Sequence, residues 1–300
     1  MKHIIKKEVN MNDYILLTDS SCDLPAEMYA ELDLKYVPLT FHHNDEVYKN
    51  YHDERDIRIK DFYEQMRHGK VFKTSALNIQ DFASAMEPFL TEGKDILYIG
   101  FSSGLSSTYN ASETAANELK EKYPDRKIYT VDSKSASLGQ GLLVYLAAKQ
   151  RQLGKSIEEV RDYAEEMKLK VCHYFTVDDM KYLKRGGRIS GATAAIATVL
   201  NIKPVMHVDN NGKLVAIEKA RGRKAAVKSL INRAVEGAVQ PNEQVFFISH
   251  GDCIEEAQQL GETLKEQLKV KQIVYNNIGP VIGSHSGPGT LAMFFIGKQR

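Results

Sequence analysis

Short apolar runs alternate with stretches of helical period through the first half of the chain. "YILLTD" (14–19), "DILYIG" (95–100) and "KIYTVDS" (127–133) each end in turn chemistry and small polar residues, and each then gives way to a helical pattern. Apolar positions recur at helical period over 107–122, 140–152 and 156–168, predicting helices there. Ser156 and Glu159 have capping-box spacing at the start of the last of these. Unbroken apolar strands separated by helices predict a parallel sheet covered on both faces. In such sheets ligands collect beyond the carboxyl ends of the strands. Two Ser-rich segments fall there, "TDSSCDL" and "GFSSGLSSTY".

Near residue 170 the pattern changes. Two β-rich runs flank "DNNGK" (209–213), a hairpin signal, and helical periods follow over 223–238 and 253–268. "QVFFISH", "QIVYNNIG" and "TLAMFFIG" read as further strands. The expected fold class is α/β: an N-terminal α/β/α domain with a parallel sheet over 12–170, then a C-terminal two-layer α/β domain over 171–300. Residues 1–11 read as an extension, with Met11 an alternative start. No repeat, low-complexity stretch or long linker divides the two halves, so they are expected to pack closely and share a cleft.

Composition narrows the function. Hydrophobic residues make up 43% of the chain, enough for a real core. Lys and Arg total 40 against 39 for Asp and Glu, so no net field favours nucleic acid or an anionic membrane. The opening "MKHIIKKEVN" lacks the apolar region of a signal peptide. No apolar run approaches the roughly 18–20 residues of a membrane span. Cys22, Cys172 and Cys253 are far apart and odd in number, without a zinc-type pairing. No metal site is expected, and a reduced, cytoplasmic compartment is the natural reading. His42 and His43 read as an exposed loop pair.

The candidate chemistry begins with "GFSSG" (100–104), formally the G-x-S-x-G elbow of a serine hydrolase. Ser102, Asp252 and His285 stand in the chain order of such a triad. Against it, no H-G-G-G-type segment precedes the elbow, and the helix starts near Ser106–Thr108 rather than directly after Ser102. Alternatively Ser106 or Ser107 caps that helix, or hydroxyls beside its N-terminus hold an anion. In "FKTSALN" (72–78), Thr74 and Ser75 either lead into a helix from Ile79 or face a ligand. "KRGGRISGA" (184–192) is either a solvated turn or a cationic site, and "GSHSGPGT" (283–290) places His285 where backbone can approach a ligand closely. Lys219, Arg221, Arg223 and Lys224 in "EKARGRKAA" (218–226) form either a solvated face or a phosphate or partner contact.

Together and in this order, "TDSSCDLP", "KTSALN", "SSGLSSTY", "VDSKSASLGQG", "VDDMKYLKRGGRIS", "IKPVMHVDNNGKL", "KARGRKAA" and "GPVIGSHSGPG" resemble the bacterial DegV family. The resemblance covers nearly the whole chain beyond Met11. It implies the two domains above, with a ligand tunnel between them holding a long-chain fatty acid. It also implies a fatty-acid-binding subunit of a bacterial fatty acid kinase, not itself catalytic. A separate ATP-dependent kinase subunit would phosphorylate the presented carboxylate, giving acyl phosphate for phospholipid synthesis. Carried over by motif, Thr74 and Ser106 would hydrogen-bond the carboxylate, and Arg188 and His285 would stand close to it. Arg221 would serve phosphotransfer with the kinase. The chain has no G-x-x-x-x-G-K-[ST] loop for ATP, in keeping with a partner that brings the nucleotide. No cofactor is expected. The apolar run 192–202 would line the tunnel or form an ordinary buried helix. A serine esterase using Ser102 is the alternative, and a small-anion or phosphosugar binder a third class.

Overall fold

The computed structural model describes residues 14–189 and 201–300. The first half runs β1 (Tyr14–Asp19), α1 (Ala26–Glu31), β2 (Leu34–Val37), β3 (Thr40–His43), β4 (Glu46–Lys49), α2 (Ile59–Arg67) and β5 (Lys73–Ser75). It continues through α3 (Ile79–Thr91), β6 (Asp95–Gly100), α4 (Thr108–Lys122), β7 (Ile128–Asp132), α5 (Leu138–Gln152) and α6 (Ile157–Met167). The expected strands and helices therefore stand within one or two residues of their predicted bounds. The Ser156–Glu159 capping box is formed in both directions.

Strands β2, β1, β6 and β7 lie side by side in that order and all parallel. Because side chains alternate across a strand, each strand feeds two cores. Leu16, Leu97, Ile99 and Val131 face α5 and α6, while Leu17, Ile96, Tyr98 and Ile128 face α3 and α4. The sheet is thus covered on both faces, as the unbroken apolar runs require.

Three short strands before β6 make a separate antiparallel sheet, ordered β4, β3, β5. Its β3 carries His42 and His43, which are therefore not a loop pair; His43 Nδ1 lies 2.8 Å from the Val71 carbonyl. Phe41, Phe62 and Phe72 tie this sheet to α2, with Phe62 and Phe72 ring centroids 4.8 Å apart. Thr74 and Ser75 belong to β5 rather than to a helix start. Asn78 caps α3, in a capping box with Asp81.

The second half begins with β8 (Val171–Thr176) and α7 (Lys181–Gly186), then β9 (Ile202–Val208) and β10 (Leu214–Arg221). After these come α8 (Arg223–Gly237), β11 (Val245–His250), α9 (Ile254–Leu268), β12 (Gln272–Asn277), α10 (Pro280–Ser286) and β13 (Leu291–Ile296). Among the described residues the sheet order is β10, β9, β8, β13, β11, β12, with only β11 and β12 parallel. The "DNNGK" turn joins β9 and β10 as expected. Its Asp209 carboxylate accepts the Asn211 and Lys213 amides at 3.0 and 2.8 Å. The apolar run 192–202 falls outside the described residues except for Asn201 and Ile202.

Helices α8 and α9 cover one face of this sheet. The other face is covered by α5, which belongs to the first half. Phe175, Phe247, Ala292 and Phe294 share one core with Leu16, Leu97 and Leu142. Burial on two sides explains why α5 reads "LGQGLLVYLAA", small and apolar nearly all round. Arg300 crosses the same junction, donating to the carbonyls of Lys168 at 2.7 Å and Val171 at 2.9 Å, and to Ser135 Oγ at 2.8 Å. No helix among the described residues is long and apolar enough to cross a membrane.

Candidate functional site

A cavity opens between the carboxyl end of β6 and the inner face of the second sheet. It encloses about 760 Å³ of space, counting the part open to solvent, and it brings together Thr74, Ser106, Arg188 and His285. The walls behind them are apolar: Phe101, Leu105, Phe175, Leu183, Val281 and Ile282. Apolar walls with a few convergent polar groups are the usual marks of a small-molecule site.

Each polar group is placed by a different element. Thr74 sits on β5, and its Oγ1 lies 2.7 Å from His285 Nε2 on the last turn of α10. His285 Nδ1 is buried without a hydrogen-bond partner. An unpaired acceptor there costs less than a buried orphan N–H, which puts the ring proton on Nε2. His285 then donates to Thr74, and the Thr74 hydroxyl proton is free to point at a ligand. Burial pushes His285 down to about 4, helped by the Arg188 and Arg185 charges, so the ring is neutral at physiological pH.

Ser106 stands just before α4. Its Oγ accepts the Thr108 amide at 3.2 Å and lies 2.9 Å from Thr108 Oγ1, which in turn accepts the Leu77 amide at 3.4 Å. Ser106 thus does the capping, while Ser107 at the boundary makes no side-chain cap. Either hydroxyl can donate in that contact; when Thr108 does, the Ser106 proton is left for the cavity. Thr74 and Ser106 thus both present hydroxyls to the same cavity wall.

The sequence "KRGGR" earns both its glycines. Gly187 ends α7 with φ 67°, a left-handed cap that favours glycine. At Gly186 a Cβ would stand 2.3 Å from His285 Nδ1, so a larger residue would push the imidazole away from Thr74. Arg188 follows, exposed, with its Nε donating to the Leu105 carbonyl at 3.3 Å. Among the described residues it has no carboxylate partner, which leaves its charge available at the cavity mouth. Lys73 and Arg185 line a shallow pocket running on from the same mouth. Sequence reasoning noted Arg185 in the Gly-pair turn but passed over Lys73, because an exposed cation on an edge strand reads as a solvated face.

The hydrolase triad does not assemble. Ser102 is fully buried under the β9–β10 turn; its Oγ donates to the Gly212 carbonyl at 2.8 Å and accepts the Gly104 amide at 3.1 Å. Asp252 pairs with Arg67, and His285 is bonded to Thr74. Arg221 also stands apart, exposed at the end of β10 and outside the cavity wall. Among the described residues no group of His, Cys, Asp and Glu could hold a metal.

Fold and site together define a three-sheet α/β protein whose apolar cavity is bordered by hydroxyl, imidazole and guanidinium groups, the layout of a small-molecule site. The family model for DegV proteins matches residues 15–298, and the chain belongs to the DegV family. It is 47% identical to a DegV domain-containing protein of Clostridium perfringens over 290 residues, covering 97% of this chain and 99% of that one. A DegV family protein from Thermus thermophilus, described for its fatty acid binding, superposes with a TM-score of 0.83 at 30% identity, over 95% of this chain and 99% of that one. The fold is shared as well with the fatty acid kinase B3 protein of Streptococcus pneumoniae loaded with linoleic acid, at a TM-score of 0.81 and 24% identity, over 94% of this chain and 99% of that one.

Proposed function

We propose that the cavity binds a long-chain fatty acid, acyl chain inward and carboxylate at Thr74 and Ser106, and that the protein presents this carboxylate to a separate ATP-dependent kinase subunit. The observation that carries the reading is the pairing of apolar walls with the Thr74 and Ser106 hydroxyls in one cavity lining. An acyl chain of about sixteen carbons would gain up to ~10 kcal/mol from full burial, at ~0.8 kcal/mol per methylene. Its carboxylate, withdrawn from water, needs donors to offset a desolvation cost of several kcal/mol. Thr74 and Ser106 supply them without a close ion pair, and Arg188 lends a longer-range charge from the rim. Among solved relatives, the Thermus thermophilus protein binds the same class of ligand.

Neutral donors hold a carboxylate while leaving its oxygen nucleophilic. In the proposed reaction that oxygen attacks the γ-phosphorus of ATP held by the partner; a carboxylate oxygen–phosphorus bond forms, the bond to ADP breaks, and acyl phosphate results. Arg221, exposed and without a carboxylate partner among the described residues, is assigned to the kinase encounter.

Denaturing extraction of the freshly purified protein followed by mass spectrometry should release a long-chain fatty acid at close to one per chain. Its absence would overturn the reading. With the kinase subunit and ATP present, Arg221→Ala should keep fatty acid affinity within about twofold and lower acyl phosphate formation by roughly tenfold or more. Loss of binding and phosphorylation in equal measure would remove Arg221 from the partner contact.

A further inference from the structure

One inward position on the strands that wall the apolar cavity is not apolar. His173 stands on β8 and lines the same space as Phe101, Leu105, Phe175 and Ala292. Its chain neighbours Cys172 and Tyr174 turn to the other face of the sheet, under α8 and α9. His173 is only 4% exposed, and its ring centroid lies 4.5 Å from that of Phe294 and 5.5 Å from that of Phe175.

The ring has a closed edge and an open one. A Cβ on Gly139 of α5 would stand 3.4 Å from His173 Nδ1, so that nitrogen abuts the helix, and it is buried without a hydrogen-bond partner. Nε2 lies on the opposite edge. It makes no hydrogen bond among the described residues and, unlike Nδ1, is not sealed off. Burial, with the Arg300 and His207 charges adding to it, holds the ring well below its ordinary pKa, so it is neutral and carries one N–H. An orphaned buried N–H costs more than an orphaned acceptor, which puts that proton on Nε2. A hydrogen-bond donor without a protein partner therefore stands among hydrocarbon walls.

This donor is remote from the head-group residues. The Thr290 hydroxyl donates to the Ser286 and Gly287 carbonyls at 2.9 and 2.8 Å, which ties the near end of β13 to the end of α10 that carries His285. Phe294, the register partner of His173, comes roughly 13 Å further along that strand, at about 3.3 Å per residue. The other unpartnered side-chain atoms of the cavity lining, His285 Nδ1 and Ser286 Oγ, belong to the head-group end. An acid held by its carboxylate at Thr74 and Ser106 would thus bring a middle stretch of its chain beside His173.

Saturated hydrocarbon at that depth would take water from the Nε2 N–H and give it no acceptor in return, which is unfavourable. Building on the fatty-acid reading above, we propose that His173 selects long-chain acids bearing a hydroxyl group part-way along the chain, its Nε2 N–H donating to the hydroxyl oxygen. A site that hydrogen-bonds a substrate hydroxyl rejects the analogue lacking it more sharply than an apolar pocket rejects an added hydroxyl. His173 is on this account a specificity-determining residue with no part in holding the carboxylate.

The test is displacement of a fluorescent fatty acid from the delipidated full chain. The competitors are stearic acid and a series of monohydroxystearic acids, with the hydroxyl moved from the second carbon to beyond the middle of the chain. Affinity should peak at a mid-chain isomer, about tenfold tighter than stearic acid. His173→Leu should remove the peak and leave stearic acid the tighter ligand, while His173→Gln, which keeps an N–H near the Nε2 position, should retain it. A flat profile with stearic acid still bound overturns the role of His173 and leaves the fatty-acid reading standing. A peak at the second carbon, or a mid-chain peak that survives His173→Leu, overturns it as well. If no acid binds, stearic acid included, both readings fall. The native profile decides even where His173→Leu does not fold.

Discussion

A Thr74→Val, His285→Phe double variant should lose fatty acid affinity by about tenfold to thirtyfold, the equivalent of ~1.4–2 kcal/mol. Val keeps the shape of Thr and removes its hydroxyl; Phe keeps an aromatic ring against Gly186 and removes the donor behind that hydroxyl. The pair works in series, since His285 Nε2 lies 2.7 Å from Thr74 Oγ1 and fixes which way its proton points. Each single variant should cost about tenfold, and the two should not add. His285→Phe leaves a Thr74 hydroxyl able to turn away, and Thr74→Val leaves an imidazole whose reach stops short of the carboxylate. Ligand displacement from delipidated protein measures all three. Double-variant affinity within threefold of the native value would place the carboxylate elsewhere in the cavity.

The same histidine sets a pH window. In the ligand-free protein its pKa falls from 6.5 to about 4, so the folded state resists a proton that the unfolded state accepts. Below about pH 6.5 the unfolded chain binds more protons, and this group removes stability progressively as pH falls toward 4. Above pH 6.5 it contributes no such slope. His285→Phe should flatten the acid side of the stability curve by the same amount.

Phe247→Ala should have the largest effect on stability, about 3–5 kcal/mol. Phe247 is fully buried on β11, and its ring centroid lies 5.5 Å from that of Tyr145 on α5. It stands in the core that the two larger sheets share through α5. Because that core is continuous, the variant should lower Tm by on the order of 10 °C while unfolding remains a single transition. Calorimetry would show the alternative directly: a split into two transitions, with the second half melting first, would mean that the halves hold separate cores.

Much of this arrangement was legible in residue order. Unbroken apolar runs placed the parallel strands, the 3.6-residue period the long helices, and turn and cap residues the hairpin at Asp209–Lys213 and the capping box at Ser156. The small sheet β3–β5 was not legible, because three- and four-residue strands carry too few alternations to set a period. The four site residues came from the resemblance to DegV motifs; taken by themselves, the same segments also allowed a helix cap, a helix start and a solvated turn. Ser102 was singled out by the same kind of signal and proved to be a buried brace for the Gly212 turn.

What the sequence alone determined was therefore local: strand and helix periods, caps, turns, and the residue types able to hold an anion. Tertiary structure decided what those residues do to one another. Thr74 and His285 are 211 positions apart and meet only because β5 and α10 pack together. Asp252 and Ser102 have the right chain order for a triad, yet each is satisfied by another partner. Period and capping depend on neighbours within a few residues, which a sequence displays directly. A hydrogen bond between distant segments depends on which faces are buried against each other, and that is fixed only when the whole core closes.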